Sequence, residues 1–153
     1  MAFIRHRGKT KIMYFEGDTA IQVRDGGLVS ITDSGTVTPV RNDSTDRPIG
    51  VARRNDTTTD SAMVPVEVPV ESAVEWLIDV DSDAGALDSD IGRFCAVDTT
   101  GGGSVLAGDS AGMRADVSDT AIRQIYITGR VSGTKIIGVI ARSAFNRGQA
   151  DTA

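Results

Sequence analysis

Four aspartates near the middle of the chain have the spacing of ligands in a calcium-binding loop. The stretch DVDSDAGALDSD places Asp79, Asp81 and Asp83 at the first, third and fifth positions of such a loop, and Asp90 at its last position. The sixth position, where the sharp turn needs glycine, is Ala84, and the last position usually carries a bidentate Glu. These aspartates are therefore weak metal candidates, and a solvated acidic connector explains the stretch better.

Other residues with catalytic potential are few. The one histidine, His6, lies in a basic N-terminal segment, where it is poorly placed for acid–base work. Cys95 lies in the apolar run FCAV, which predicts a small buried hydrophobe rather than a nucleophile. The glycines at 101–103 precede Ser-Val rather than Gly-Lys-Ser/Thr, which favours a hairpin turn over a phosphate loop. We expect no enzyme activity and no cofactor.

Charge is distributed unevenly along the chain. Arg5, Arg7, Lys9 and Lys11 give residues 1–15 a charge of +4 without any acid, while the remaining residues sum to −9. An acidic body repels phosphates, and aromatic residues for base stacking are few, so we expect no nucleic-acid partner. The N-terminus is instead interpreted as a basic arm, residues 1–16, that docks on another protein.

The sequence contains neither a long apolar run nor a secretory leader pattern. We therefore expect no membrane partner, and we expect the protein to be made in a cytoplasm or assembled into a particle there. The single cysteine allows no internal disulfide.

Alternation of apolar and polar residues indicates strands through much of the chain. The valines of VPVEVPV, at 64–70, recur at every second position, and similar alternation continues from Val74 to Val80 and from Ile125 to Val131. Helical patterns are limited to residues 118–124, with Ser118 as N-cap, and less convincingly 71–78. Dense glycine and aspartate turns separate the strands. The pattern predicts an all-β protein with at most one or two short helices, either a small β-barrel or a β-sandwich.

Two prolines constrain one of these strands. Pro65 and Pro69 are four residues apart, so their missing N–H groups face the same neighbour. We predict that Val64, Pro65, Val66, Val68 and Pro69 belong to an edge strand or to a strand that crosses between subunits.

A short phrase occurs twice, as RPIGVARRN and as KIIGVIARS. A Gly-led strand and a glycine turn precede each copy, which predicts two similar half-domains with Gly50 and Gly138 in matching strands. Arg53 and Arg142 would end these strands at the surface. The second copy would need a longer loop, which AGDSAGMRADVSD, residues 107–119, would supply. Two unrelated strands that both needed glycine are the alternative.

The order of the short motifs resembles the head decoration, or cement, proteins of tailed bacteriophages. The stretches that carry this resemblance are GD at 17–18, RPIGVARR at 47–54, VPVEVPV at 64–70, GRFCAVD at 92–98 and KIIGVIARS at 135–143. The resemblance implies a β-rich, non-enzymatic protein that binds the outer surface of a capsid as a homotrimer. Its partner would be the major capsid protein, and its location the outer surface of the virion.

In such a protein the N-terminal arm reaches onto the shell. The candidate capsid-binding residues are Phe3, Ile4, Arg5, Arg7, Lys9 and Lys11. The predicted organisation is an arm at 1–16, a body at 17–145 with halves 17–80 and 91–145 joined by the acidic connector 81–90, and a tail at 146–153. The alternatives are another β-rich virion part, from the tail or neck or associated with a fibre, and a ligand-binding β-sandwich.

Overall fold

The computed structural model describes residues 3–18, 22–40, 48–57, 63–71, 74–80, 85–98, 114–120 and 122–141. These residues form thirteen strands and one short 3-10 helix, Asp88–Asp90. The strands are β1 (Phe3–Arg7), β2 (Thr10–Glu16), β3 (Gln22–Val23), β4 (Leu28–Ile31), β5 (Val37–Pro39), β6 (Pro48–Ala52), β7 (Asp56–Thr57), β8 (Met63–Pro69), β9 (Glu75–Asp79), β10 (Phe94–Asp98), β11 (Arg114–Asp116), β12 (Ile125–Ser132) and β13 (Lys135–Ile140). The predicted all-β class is confirmed.

Two antiparallel sheets make up the body. The first has five strands in the order β2-β8-β6-β4-β5, and the second has six in the order β1-β9-β13-β12-β10-β11. Strands β3 and β7 form a separate two-stranded ribbon. Because neighbouring strands pair antiparallel throughout, short turns are enough to connect many of them.

The two sheets contain the same five-stranded arrangement. In chain order the first unit consists of β2, β4, β5, β6 and β8, and the second of β9 to β13. In both units the first strand pairs with the fifth, the fifth with the fourth, the fourth with the second and the second with the third. In both, a parallel bridge then brings the first and third strands together, Gly17 with Val37 and Val80 with Ala115. Each sheet is thereby curled, and the chain consists of two units of like topology.

The repeated phrase does not mark equivalent strands of these units. Gly50 lies in β6, the fourth strand of the first unit, whereas Gly138 lies in β13, the fifth strand of the second. The predicted correspondence between Gly50 and Gly138 is therefore wrong. Each glycine meets a local need, because an added Cβ would lie 2.2 Å from the Glu67 carbonyl oxygen at Gly50 and 2.7 Å from Ile125 Cγ2 at Gly138.

Two apolar clusters fill the interior. The larger surrounds Trp76 and includes Phe3 together with Leu28 and Val51 from the five-stranded sheet, so it connects the two sheets. The smaller lies on the opposite face of the five-stranded sheet and is built largely from valines: Val23, Val29, Val37, Val64, Val66 and Val68, with Ile49 and Ala52. The alternating valines of β8 thus face one side, as their period predicts.

Strand β8 is not an edge strand, so the edge-strand form of this prediction is wrong. It lies between β2, which it pairs with along its whole length, and β6, which it contacts at only two Cα pairs. The Pro65 carbonyl accepts from Arg53 N–H, so the backbone of Pro65 faces β6, and that of Pro69 faces the same way. The missing N–H groups shorten the ladder with β6 as expected, but a short strand still pairs there.

Several local expectations are also corrected. Residues 3–16 form β1 and β2 and pair with β9 and β8, so the boundary at residue 16 does not separate an arm from the body. The predicted first half, 17–80, includes β9, but β9 lies in the six-stranded sheet with β10 to β13, so the predicted boundary between the halves is wrong. The predicted loop at 107–119 contains β11, which pairs with β10. In the described part of 118–124 no helix forms, because Asp116 Oδ1 accepts from the N–H and hydroxyl of Ser118 and builds a turn.

Some predictions fall outside the described residues. These are the turn at 101–103, Arg142, the tail at 146–153 and residues 81–84 of the connector. Among the described residues, no helix has both the length and the apolar character needed to span a bilayer.

Candidate functional site

The N-terminal segment passes from one sheet to the other. Strand β1 is the outer strand of the six-stranded sheet and β2 the outer strand of the five-stranded sheet. Gly8 makes the turn between them with φ at +102°, and a Cβ there would lie 2.9 Å from Val74 Cα. The Lys9 N–H donates to Glu71 Oε1 at 2.9 Å. Both sheet edges therefore meet at one side of the molecule.

The two apolar candidates for capsid contact behave differently. Phe3 has no exposed surface and belongs to the Trp76 cluster, so it is unavailable to a partner. Its prediction as a docking residue is corrected, since the side chain serves the protein's own core. Ile4 is 42% exposed, because alternation along β1 points it to the opposite face.

The four basic candidates do not form one free positive surface. Arg5 Nε lies 3.5 Å from Glu67 Oε2, and Arg7 Nε lies 3.7 Å from Glu75 Oε1. Lys9 and Lys11 are exposed, and neither takes part in the ion pairs found among the described residues. The two lysines are thus the candidates whose charge stays available to a partner.

Glu67 is the centre of a buried ionic cluster. Its Oε1 accepts from Arg53 Nε at 2.6 Å, and its Oε2 accepts from the Thr10 hydroxyl at 2.6 Å. Arg53 also donates from Nη1 to the Phe3 carbonyl and lies with its guanidinium 5.8 Å from the centre of the Trp76 ring. The Arg53 side chain is only 18% exposed, so its predicted surface position is wrong. The cluster holds the N-terminal segment against both sheets.

The outer edge of β2 offers backbone groups to a partner. The Val70 N–H donates to the Lys9 carbonyl. Because backbone groups in a strand alternate in direction, every second residue of β2 counted from Lys9 directs its N–H and C=O toward β8. Lys11, Met13 and Phe15 therefore bond to β8, whereas Thr10 and Ile12 direct their N–H and C=O groups outward, as does Tyr14. The side chains of Ile12 and Tyr14 are 49% and 62% exposed.

This open edge has a definite end. Beyond Glu16 the chain turns toward β5, where Gly17 bridges to Val37 and the Asp18 N–H donates to the Val37 carbonyl at 2.9 Å. Among the described strands none pairs with this edge, so the part of β2 left for a new strand is Thr10 to Tyr14.

The aspartates of the predicted metal site have other roles where they are described. Asp79 Oδ1 accepts from Lys135 Nζ at 2.6 Å, and Asp90 Oδ2 accepts from the Leu87 N–H at 2.8 Å. Asp81 and Asp83 lie outside the described residues. Within the described ranges, no three His, Cys, Asp or Glu side chains are grouped as metal ligands.

The two remaining chemical candidates are separated. Cys95 is fully buried, as predicted, and burial, followed by the nearby charge of Asp116, raises its pKa to about 12. Its thiol is therefore protonated near neutral pH and a poor nucleophile. His6 is exposed on β1. Three strands of the six-stranded sheet lie between β1 and β10, the strand that carries Cys95.

Sequence reasoning missed Ile12, Tyr14 and Glu67. The run TKIMYFE contains the β-branched and aromatic residues typical of a strand, a signal that the surrounding basic residues obscured. The alternation in VPVEVPV predicts that Glu67 lies on the side opposite the valines, and only the fold shows that this side is covered.

The chain matches no family model, no curated protein and no solved structure. A function is therefore inferred from the surface described above and from the order of the short β-motifs.

Proposed function

We propose that this protein is a structural component of a tailed-bacteriophage virion that binds the outer surface of the assembled capsid and stabilises it. It acts without catalysis, its partner is the major capsid protein, and it binds as a homotrimer. The resemblance of its motifs to decoration proteins suggests this role. The all-β body made of two like units is compatible with it.

One observation carries the proposal. The segment that the sequence marks as a contact region forms the outer strands of both sheets and keeps Ile4, Lys9 and Lys11 exposed. The outer edge of β1, which no described strand covers, can bind an extended segment through main-chain hydrogen bonds, and exposed apolar side chains add specificity. Three copies bound as a unit would multiply a modest interface through effective concentration.

The test is binding of the purified protein to expanded, undecorated capsid shells. Co-sedimentation should show saturable binding, and electron micrographs should show added density at three-fold positions. Failure to bind the shells, or assembly into rings or tubes typical of tail parts, would overturn the proposal.

Lys9 and Lys11, which take no part in the ion pairs among the described residues, allow a more specific test of capsid binding. Lys9→Glu with Lys11→Glu should weaken shell binding by at least tenfold at low salt and by less at high salt, because exposed charges are screened. The matched control is Arg93→Glu with Arg123→Glu, which reverses two exposed charges outside the N-terminal segment and should leave binding within about twofold. Equal loss in both variants would mean that only net charge matters.

A further inference from the structure

The likeness of the two units shows where the chain lacks a strand. The first strand of the second unit, β9, is covered on its outer edge by β1. The first strand of the first unit, β2, ends its sheet, and no described strand covers the equivalent edge. We propose that β2 pairs there, antiparallel, with β2 of a second copy of this chain.

The register follows from the hydrogen bonds. Thr10, Ile12 and Tyr14 direct their backbone groups outward, and the bridge at Gly17 closes the edge beyond them. An antiparallel partner that uses the same three residues must be centred on Ile12. Ile12 then lies opposite its own counterpart, and Thr10 lies opposite Tyr14 in both directions. All three outward-facing residues become hydrogen-bonded pairs, related by a two-fold axis.

The side chains suit this register. The contact covers Ile12 and Tyr14, two of the exposed large apolar residues of the protein. On the other face, Lys11 lies opposite Met13 of the second copy, so no like charges stand directly opposite each other. Proline, inward-pointing charge and lysine are the usual features that keep edge strands from pairing. The open stretch of β2 has neither of the first two, and its one lysine, Lys11, faces an uncharged residue in this register.

A second copy is favoured over a foreign strand because the edge is complementary to itself. The contact goes beyond the proposed function and does not depend on it. If the protein does decorate a capsid, the two-fold contact would join neighbouring trimers, because two-fold axes relate adjacent three-fold sites on an icosahedral shell. That use alone rests on the proposed function.

Cysteine cross-linking of the full-length protein, without any capsid, tests the contact. In the proposed register the two Ile12 Cα atoms are about 5.5 Å apart, within disulfide reach. Ile12→Cys should therefore give covalent dimers under mild oxidation, seen on non-reducing gels, and no larger species because each chain then carries one accessible thiol. The native Cys95 is fully buried and should not contribute.

Two control variants distinguish cross-linking in the proposed register from cross-linking by random collision. In this register the two Tyr14 residues lie four positions apart along the strands, about 13 Å, so Tyr14→Cys should not cross-link. Val131→Cys, at a site 56% exposed on β12, gives the rate of random collision. Ile12→Cys should exceed both controls by at least tenfold. An Ile12→Cys rate equal to that of Val131→Cys, or preferential linking through Tyr14→Cys, would overturn the proposal.

Sedimentation equilibrium provides a second, independent measurement. Ile12→Lys should raise the dissociation constant of the two-fold contact at least tenfold, while Val131→Lys should leave it unchanged. If wild type and Ile12→Lys associate equally, the edge is not the contact. Because no shell is present, this result is independent of whether capsid binding fails.

Discussion

Arg53 and Glu67 form a short ion pair where the two sheets meet. The Arg53 Nε lies 2.6 Å from Glu67 Oε1, and the two side chains are 18% and 11% exposed. Arg53 follows β6, and its second donor group reaches the carbonyl of Phe3 in β1. One guanidinium thus bonds to both sheets, and Arg5 of β1 lies 3.5 Å from the same carboxylate.

Removing one partner of this pair should be costly. Glu67→Ala removes the carboxylate that Arg53 Nε contacts at 2.6 Å and leaves Arg53 with only the more distant Asp25, 3.5 Å from its Nη1, so we expect a loss of about 1.5–3 kcal/mol in the free energy of unfolding. Urea denaturation measures it. Asp88→Ala removes a carboxylate that is 84% exposed and paired with Arg130, so it should cost no more than about 1 kcal/mol. Equal midpoints for the two variants would contradict this role of Glu67.

The two glycines of the repeated phrase should tolerate a methyl group unequally. At Gly50 the new Cβ would meet backbone, the Glu67 carbonyl at 2.2 Å, and we expect a loss at or above the upper end of about 1–3 kcal/mol for Gly50→Ala. At Gly138 the new Cβ would lie 2.7 Å from Cγ2 of the buried Ile125 and 3.1 Å from the Tyr126 carbonyl oxygen, so the overlap is smaller than at Gly50 and Gly138→Ala should cost less. Gly133→Ala, with nothing within 4 Å, is the control and should be near neutral. Thermal unfolding ranks the three, and any other order would contradict the close approach at Gly50.

The strand content of the chain could be predicted because alternation is a local property. The valines of β8 and the pattern around Trp76 report their period directly, and burial of Cys95 follows from its apolar neighbours. The position of β8 could not be predicted from Pro65 and Pro69. They show which side of the strand lacks donors, but a short strand such as β6 can still pair on that side.

The nature of the N-terminal segment was also beyond local reasoning. Its basic residues suggest a solvated arm, yet Arg5 and Arg7 lie beside Glu67 and Glu75, which are more than sixty residues away in sequence. Long-range ion pairs leave no periodic signal. The same holds for the two like units, whose equivalence lies in strand order rather than in the repeated phrase.

Phe3 should be necessary for folding rather than for docking. It has no exposed surface in the Trp76 cluster, so Phe3→Ala should cost about 3–5 kcal/mol. Ile4→Ala, at a site 42% exposed, should cost about 1 kcal/mol or less. Deletion of residues 2–11 removes all of β1 and the start of β2, and should yield unfolded or aggregated protein. A cooperative thermal transition near the wild-type midpoint for the deletion would restore the interpretation of a separate arm.

The buried thiol should make the protein less stable at high pH. Burial raises the pKa of Cys95 from 9.0 to about 12, so the folded state holds the proton where the unfolded state has released it. The free energy of unfolding should therefore fall as pH rises from about 9 toward 12, because the unfolded chain binds fewer protons there. Cys95→Ala removes this contribution, and its stability should decline less steeply over the same range. Urea midpoints for both proteins at several pH values measure the difference, and parallel curves would show that Cys95 does not titrate as its burial requires.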